Sequence, residues 1–146
     1  MQSAIGRYQL SQVDDWVSQR RQNVETFNQL LSDVKGIRLT IPDNQAYHAC
    51  YKYYFFIELQ RLNAGWDRDR IVAEIHQNGV PCFTGSCPEI YREDAFVGIY
   101  GPQVSLPVAR ELGETSVMMN VHPGITTALI GEFAEVVQGV MKRATS

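Results

Sequence analysis

The sequence predicts an α/β or α+β domain with a small sheet. Apolar residues recur every three or four positions over residues 1–35 and again near the C-terminus, which is typical of amphipathic helices. Residues 47–60 instead alternate between apolar and mixed positions, which is typical of a strand. The chain has 146 residues, 45% of them hydrophobic and 20% charged. That length and composition predict one domain with its own core and exclude disorder over most of the chain.

Charge and cysteine usage exclude several classes of protein. With 13 Lys plus Arg against 16 Asp plus Glu, the formal net charge is −3, which argues against a broad surface for nucleic acid or anionic membranes. The sequence contains no run of 18 apolar residues, so we predict no membrane span. The first residues also lack the pattern of a secretory signal. The three cysteines, an odd number, fit a reducing compartment, so we expect a cytoplasmic protein.

The first element is a long helix over residues 1–35, which Lys35 and Gly36 would end. Thirty-five residues is long for a globular helix, so we expect a break near Asn23. The periodicity already runs at Met1 with no start signal, which favours a piece of a longer chain.

Two strands follow. Residues 37–41 form a short β-type run that Pro42 and the next two polar residues end. In the long strand over 47–60, the odd-numbered residues are mainly apolar and the even-numbered ones are mixed. We therefore expect one buried face and one mixed face that carries Lys52 and Tyr54.

Shorter elements complete the chain. Asp67 is the predicted N-cap of a helix that ends at Asn78 and Gly79, and Thr126 or Thr127 is the predicted N-cap of the last helix. Between them we expect a strand over 80–83, a helical turn over 89–96 and a strand over 117–121. Leu106 and Pro107 precede a short predicted helix that contains residues 109–112 and that Gly113 would end.

No strong catalytic motif is present. The chain has no phosphate-binding loop, no GxGxxG and no CxxC or HExxH spacing, so we predict no metal site. The loop over residues 81–91 is rich in Gly, Pro, hydroxyls and aromatics directly after a strand, and either shapes a ligand site or forms a tight packed turn. Lys52 and Tyr54 either contact an anion or nucleotide or lie on an exposed face. A thiol enzyme based on Cys82 or Cys87 is a minor alternative.

Several stretches together resemble one known family. Residues 1–21, MQSAIGRYQLSQVDDWVSQRR, resemble the helix that joins the large and small domains of the DegT/DnrJ/EryC1/StrS aminotransferases. CYKYY (50–54) lies where that family has an aromatic strand, and NGVP (78–81) with TGSC (84–87) is similar to its G-I-P turn and substrate-side loop. LPVA (106–109) and MNVHPGIT (119–126) are similar to its closing region. The ordered set covers nearly the whole chain.

The resemblance implies a fold and an activity. Enzymes of this family are fold type I and depend on pyridoxal phosphate (PLP), and they transfer an amino group, usually from glutamate, to a keto group on a nucleotide-linked sugar. Their active sites lie at a homodimer interface. This chain would match only the C-terminal small domain, a mostly antiparallel sheet packed with helices, with residues 1–35 as the inter-domain helix and 36–146 as the small α/β domain. The large PLP-binding domain would be its partner in the same polypeptide.

The departures from the family pattern limit what this chain can do alone. Its only lysines are Lys35, Lys52 and Lys142, and none lies in the family's Ser-x-x-Lys motif that supplies the Schiff-base lysine. The resemblance therefore implies no catalytic and no cofactor-binding residue here, and a domain that is inactive without the rest of the enzyme. The alternative is a self-standing interaction or ligand-binding domain that self-associates through its first helix. The expected substrate-side wall consists of Lys52, Tyr54, Phe83, Thr84, Ser86 and Tyr91.

Overall fold

A computed structural model describes residues 1–43, 45–85, 88–96, 98–99 and 106–145. Three one-turn 3-10 helices, Leu59–Arg61, Ile90–Arg92 and Asp94–Phe96, lie between the main elements. In chain order these elements are α1 (Gln2–Leu10), α2 (Val13–Leu31), β1 (Ile37–Leu39), β2 (Tyr53–Ile57), α3 (Arg68–Gln77), β3 (Cys82–Phe83), α4 (Pro107–Thr115), β4 (Ser116–Met119) and α5 (Thr127–Ala144). The predicted α/β class is confirmed.

The four strands form one sheet in the order β1-β2-β4-β3. Each neighbouring pair is antiparallel, so the expectation of a mostly antiparallel sheet is confirmed for the described residues. The register places Phe55 opposite both Leu39 on β1 and Val117 on β4. Because side chains alternate between the faces of a strand, this register sorts the sheet into two faces of different character.

One face of the sheet carries the core. Tyr53, Phe55 and Ile57 point into it, as the alternating pattern predicts, and each is at most 4% exposed. The ring of Tyr53 stacks on Phe27 of α2 with their centroids 4.8 Å apart. Helices α2, α3 and α5 cover this face with buried apolar side chains that include Phe27, Leu31, Ile71, Ile75, Ile130, Ala134, Val137, Val140 and Met141.

Two predicted helix caps are confirmed. The Asp67 carboxylate accepts a hydrogen bond from the backbone N–H of Arg70 at 2.7 Å. The Thr126 hydroxyl accepts from the backbone N–H of Leu129 at 3.2 Å. Both side chains satisfy N–H groups that have no partner inside the helix, so these starts follow from local sequence.

The predicted break near Asn23 is wrong. The helical run is interrupted at Ser11 and Gln12, and α2 is continuous through Asn23 to Leu31. Asn23 is fully buried, and its side-chain amide donates to the backbone carbonyl of Ile125 at 2.9 Å. The polar residue inside the helix therefore makes a tertiary contact instead of ending the element.

The long strand predicted over 47–60 is also too long. Strand β2 begins at Tyr53, and the preceding residues cross the surface of α2 in irregular backbone, with Tyr47 and Tyr51 78% and 74% exposed. The guanidinium of Arg21 lies 4.5 Å from the centre of the Tyr47 ring, and Arg20 donates to the Tyr51 carbonyl at 2.7 Å. Contacts with helix arginines replace strand pairing here, and the alternating pattern does not distinguish the two.

Several other boundaries also differ from prediction. The strands predicted over residues 37–41, 80–83 and 117–121 are Ile37–Leu39, Cys82–Phe83 and Ser116–Met119. The first helical region ends at Leu31, not Lys35, and α4 continues through Gly113 to Thr115. No helix in the described ranges is long and apolar enough to cross a membrane.

Candidate functional site

The second face of the sheet is only partly covered. We call it the open face and define it by the residues that share it through the strand register: Arg38, Tyr54, Phe56, Phe83, Ser116 and Met118. Helix α4 and the chain around Pro88 lie over part of it and leave a cavity of about 280 Å³, the open-face cavity. Its lining residues are Tyr54, Phe56, Pro88, Ala109, Leu112, Gly113 and Ser116.

The chemistry of the open face is mainly aromatic and aliphatic. Tyr54 is 36% and Phe83 is 43% exposed, so two aromatic rings on this face are in contact with solvent. The guanidinium of Arg38 lies over the Phe56 ring, 4.4 Å from its centre. This face can therefore hold a flat or apolar group by contact, with a positive charge at one side.

The chain leaving β3 lies directly against the cavity. The Ser116 hydroxyl donates to the carbonyl of Thr84 at 2.7 Å. Gly85 has φ of +87°, and a Cβ built on it would lie 3.1 Å from Ser116 Oγ and 3.4 Å from Tyr54 Cε1. Only glycine combines this backbone angle with so close an approach. Two of the predicted wall residues, Tyr54 and Phe83, therefore share the open face, and the backbone carbonyl of a third, Thr84, is bound to Ser116 on that face.

Tyr91 is held by its own loop. Its hydroxyl donates to the carboxylate of Glu89 and accepts from the backbone N–H of Leu106 at 3.3 Å. Glu89 is 5% exposed and also accepts from Arg92 at 3.0 Å. The hydrogen bond from Tyr91, and then the one from Arg92, lower the pKa of Glu89. The same hydrogen bond to Glu89 raises the pKa of Tyr91. The predicted wall residue Tyr91 thus anchors the loop next to α4.

The other two predicted wall residues do not join this group. The Lys52 ammonium lies 5.7 Å from the centre of the Tyr51 ring, and Lys52 does not line the open-face cavity. Ser86 lies outside the described residues.

Sequence reasoning missed Arg68, Gly113 and Glu89. Arg68 begins α3, yet its guanidinium donates to the carbonyls of Gly113 and Ser116 at 2.9 and 2.8 Å. An arginine beside an N-cap aspartate reads as a solvated surface residue, so no local pattern indicates this role. Gly113 was expected to end its helix, and only the packed neighbour Pro88 explains the glycine.

The described residues do not fit a covalent PLP site. Lys35 and Lys142 line a groove between the ends of α2 and α5, together with Val34 and Met141. Lys52 lies at the start of β2. None of the three lysines of the chain thus lines the open-face cavity.

The cysteines resemble packing residues more than nucleophiles. Cys82 is 1% exposed, its thiol points to the Val72 carbonyl at 3.5 Å, and burial raises its pKa to about 11. Burial also raises the pKa of Cys50, whose sulfur lies 3.3 Å from Nδ1 of His48. Cys87, the other thiol considered, lies outside the described residues. Across the described ranges no group of three or more His, Cys, Asp or Glu side chains could hold a metal ion.

Known structures share this architecture. An aminotransferase from Psychrobacter cryohalolentis superposes with a TM-score of 0.91 and 37% identity, over 99% of this chain and 39% of that one. The PseC aminotransferase of Helicobacter pylori, involved in the biosynthesis of pseudoaminic acid, has a TM-score of 0.85 at 16% identity over 97% of this chain and 37% of its own. At 16% identity, the similarity to PseC shows a shared fold and nothing more.

A protein of related sequence is also named as an aminotransferase. It is a dTDP-4-dehydro-2,3,6-trideoxy-D-glucose 4-aminotransferase from Saccharopolyspora spinosa, 26% identical over 149 residues. All of this chain but only 35% of that enzyme is matched, so the chain spans little more than a third of the length of these relatives. The model of the DegT/DnrJ/EryC1/StrS aminotransferase family matches residues 1–140, and the chain belongs to that family.

Proposed function

We propose that this chain is the C-terminal small domain of a PLP-dependent aminotransferase that acts on nucleotide-linked keto-sugars, and that it is inactive alone. The observation that carries the proposal is that none of Lys35, Lys52 and Lys142 lines the open-face cavity, in a chain that matches 39% of the Psychrobacter enzyme. In the intact enzyme the cofactor would be bound by the large domain, and PLP would supply the electron sink for amino transfer. The relative named for a dTDP-linked deoxysugar supports a nucleotide-linked substrate.

We assign residues 1–35 to the connection with the large domain and 36–146 to the small domain. Helix α1 has no buried residue, although it carries Ile5, Tyr8 and Leu10, which are 54%, 67% and 70% exposed. Apolar side chains exposed along a whole helix indicate a surface that packs against another body. This supports a large domain, or a second subunit, next to α1.

We assign the open face to the substrate side. Tyr54 and Phe83 lie on it, the carbonyl of Thr84 is bound to Ser116 at its edge, and Tyr91 fixes the adjacent loop. Ser86 and Lys52 remain assigned to the wall from the sequence. The two exposed rings would contact the apolar parts of a sugar nucleotide and exclude water from them, which is a binding role rather than a chemical one.

A chimera tests this proposal. The matched region of the Psychrobacter aminotransferase would be replaced by this 146-residue chain, and amino transfer from glutamate to a panel of nucleotide-linked keto-sugars would be measured. We expect turnover from the chimera and none from the isolated chain with added PLP. A lysine of the isolated chain that is trapped with PLP by borohydride, or turnover by that chain, would overturn the proposal.

A second candidate, favoured by the same fully exposed α1, is a self-standing interaction or ligand-binding domain that self-associates. A homodimer is our expectation in both cases. Light scattering on the isolated chain measures it, and a native start at Met1 with no preceding reading frame would favour this candidate. We place the protein in the cytoplasm, because the described cysteines, Cys50 and Cys82, are free thiols.

A further inference from the structure

We propose that Arg68 is a positioning residue. Its side chain does not line the open-face cavity but holds the end of α4, the start of β4 and the chain leaving β3 in fixed positions around it. The inference rests on the proposed function in one respect, namely that this cavity is the substrate side. The geometric part concerns this chain alone and is tested separately below.

One guanidinium group connects three separate parts of the fold. Nη1 of Arg68 donates to the carbonyls of Ser116 at the start of β4 and Gly113 in the last turn of α4, at 2.8 and 2.9 Å. It also lies 3.5 Å from the Thr84 carbonyl in the chain leaving β3. Nε is oriented by the Asp69 carboxylate at 2.7 Å, and the Arg68 side chain is only 13% exposed. Hydrogen bonds from a charged donor are stronger than neutral ones, especially where water is excluded.

Arg68 contributes little to the stability of helix α3. Arg68 lies in the first turn, where the N–H groups carry partial positive charge and a cation is unfavourable. The neighbouring Asp67 already caps that helix end. The Gly113 carbonyl, in contrast, belongs to the C-terminal turn of α4, where carbonyls lack partners within the helix and favour a cation. Arg68 therefore belongs to α3 by sequence but caps α4.

Arg68 also substitutes for strand pairing. Strand β3 ends at Phe83, which is paired with Met118, so the ladder stops before it reaches Ser116. Beyond that point the Ser116 carbonyl is bound by Arg68, and the Ser116 hydroxyl binds Thr84. The chain can thus leave the sheet at Thr84 and bring Gly85 against the Tyr54 ring while the Thr84 and Ser116 carbonyls keep hydrogen-bond donors.

The hydrogen bonds of Arg68 determine the geometry of the open-face cavity. Gly113 and Ser116 line it, and Gly85 lies against Tyr54, another lining residue. A lysine side chain is one bond shorter than arginine as far as Nη1 and has no Nε–H to donate to Asp69, so its ammonium group would not reach the three carbonyls from the same position. Without the guanidinium, the end of α4 and the chain after β3 lose their common anchor, and the cavity changes width.

The first test uses the isolated chain. Arg68→Gln and Arg68→Lys would be compared with Arg70→Gln, a change in the same turn at an arginine paired instead with Glu74. We expect amide exchange at Thr84 and Gly85 to accelerate at least tenfold, and the methyl resonances of Ala109 and Leu112 to shift, in both Arg68 variants only. Added methylguanidinium should reverse the change in Arg68→Ala. Unchanged cavity resonances, or changes spread equally through the Phe27 and Ile130 core, would overturn the positioning role.

The second test asks whether that geometry serves substrate binding. In the chimera described above, Arg68→Gln should raise KM for the sugar nucleotide about tenfold and change kcat less than twofold. An unchanged KM would overturn the functional half of the inference. If the unsubstituted chimera is inactive, the proposed function fails, while the exchange and resonance measurements on the isolated chain still decide the geometric half.

Discussion

Pro88 fills the space that a side chain at residue 113 would need. A Cβ built on Gly113 would lie 2.1 Å from Cγ and 2.7 Å from Cβ of Pro88. Gly113 lies inside helix α4, where glycine costs about 1 kcal/mol relative to alanine. The close approach of the loop to the helix therefore outweighs helix propensity at this position and sets the distance between two walls of the open-face cavity.

Substitution Gly113→Ala should lower the free energy of unfolding by about 1–3 kcal/mol, because the cost of displacing Pro88 exceeds the gain in helix propensity. The measurement is chemical denaturation followed by circular dichroism. Gly139→Ala is the matched control, since Gly139 is also helical and a Cβ there meets nothing within 4 Å. That control should be neutral or stabilising by up to about 1 kcal/mol.

The contact with Pro88 is tested by a double-mutant cycle. If it causes the loss, Gly113→Ala should cost much less in a Pro88→Gly background. An equal cost in both backgrounds, or a Gly113→Ala variant as stable as the Gly139→Ala control, would contradict the account.

Asn23→Ala should destabilise the fold by about 1–3 kcal/mol, although alanine favours the helix. The fully buried Asn23 side chain donates to the Ile125 carbonyl at 2.9 Å and accepts from Gln19 at 3.1 Å, so its loss removes a hydrogen bond from the partly buried Ile125 carbonyl. Gln22→Ala, on the exposed side of the same helix, should change stability by less than about 0.5 kcal/mol. Equal effects of the two substitutions in thermal or denaturant unfolding would refute the role of Asn23.

The parts of the fold that follow from local chemistry are predictable from the sequence. The alternation of Tyr53, Phe55 and Ile57 identifies the buried face of β2, and Asp67 and Thr126 mark helix starts through their own side chains. These features depend on neighbours within four residues. The order of helices and strands follows from them, apart from the split of the first helix.

The parts that depend on distant partners are not predictable in this way. Tyr47 and Tyr51 continue the alternating pattern, but Arg20 and Arg21 of α2 hold that segment outside the sheet. The resemblance implies that Tyr54, Phe83 and Thr84 share one wall; the strand register brings Tyr54 and Phe83 to one face, and a hydrogen bond from Ser116 holds the Thr84 carbonyl beside it. Arg68 has no local signal for this role, because the three carbonyls that it binds are 16 to 48 residues away.

Cys82 should make the fold sensitive to alkaline pH. Burial raises its pKa to about 11 from 9.0, so the thiol stays protonated in the folded state while the unfolded chain loses its proton. The stability that this provides is complete below pH 9, where both states are protonated, and is lost between about pH 9 and 11, on the order of 2 kcal/mol. Cys82→Ala should therefore show a shallower fall in unfolding free energy over that range, whereas an unchanged slope would refute the shift. The native Cys82 thiol should also resist iodoacetamide at pH 8, and rapid alkylation there would revive the thiol-enzyme alternative.

Glu89 should stabilise its loop only above the acidic range. Its hydrogen bonds with Tyr91 and Arg92 lower its pKa, so the stabilisation is present above the unfolded value of 4.5 and is lost as pH falls through the lower folded value. Glu89→Gln should increase amide exchange at Ile90–Arg92 at pH 7 and abolish the acid-dependent change in the Tyr91 ring resonances. Glu93→Gln, an exposed neighbour, is the control. Retention of the acid transition in Glu89→Gln would assign it to another group.

Helix α1 should mediate self-association of the isolated chain. Met1, Ile5 and Tyr8 are four and three residues apart, so they form one apolar stripe, and no residue of the helix is buried by the rest of the domain. Burying such a stripe between two copies removes it from water at about 25 cal/mol per Å², whereas a charge placed within it must be desolvated. Ile5→Lys should therefore convert dimers into monomers in light scattering without changing the denaturation midpoint of the monomer. Ser3→Lys adds the same charge about 160° away around the helix and should leave the dimer intact. A monomeric unsubstituted chain would remove this association and favour the large domain as the body that covers α1, and a dimer that survives Ile5→Lys would place the interface on another surface.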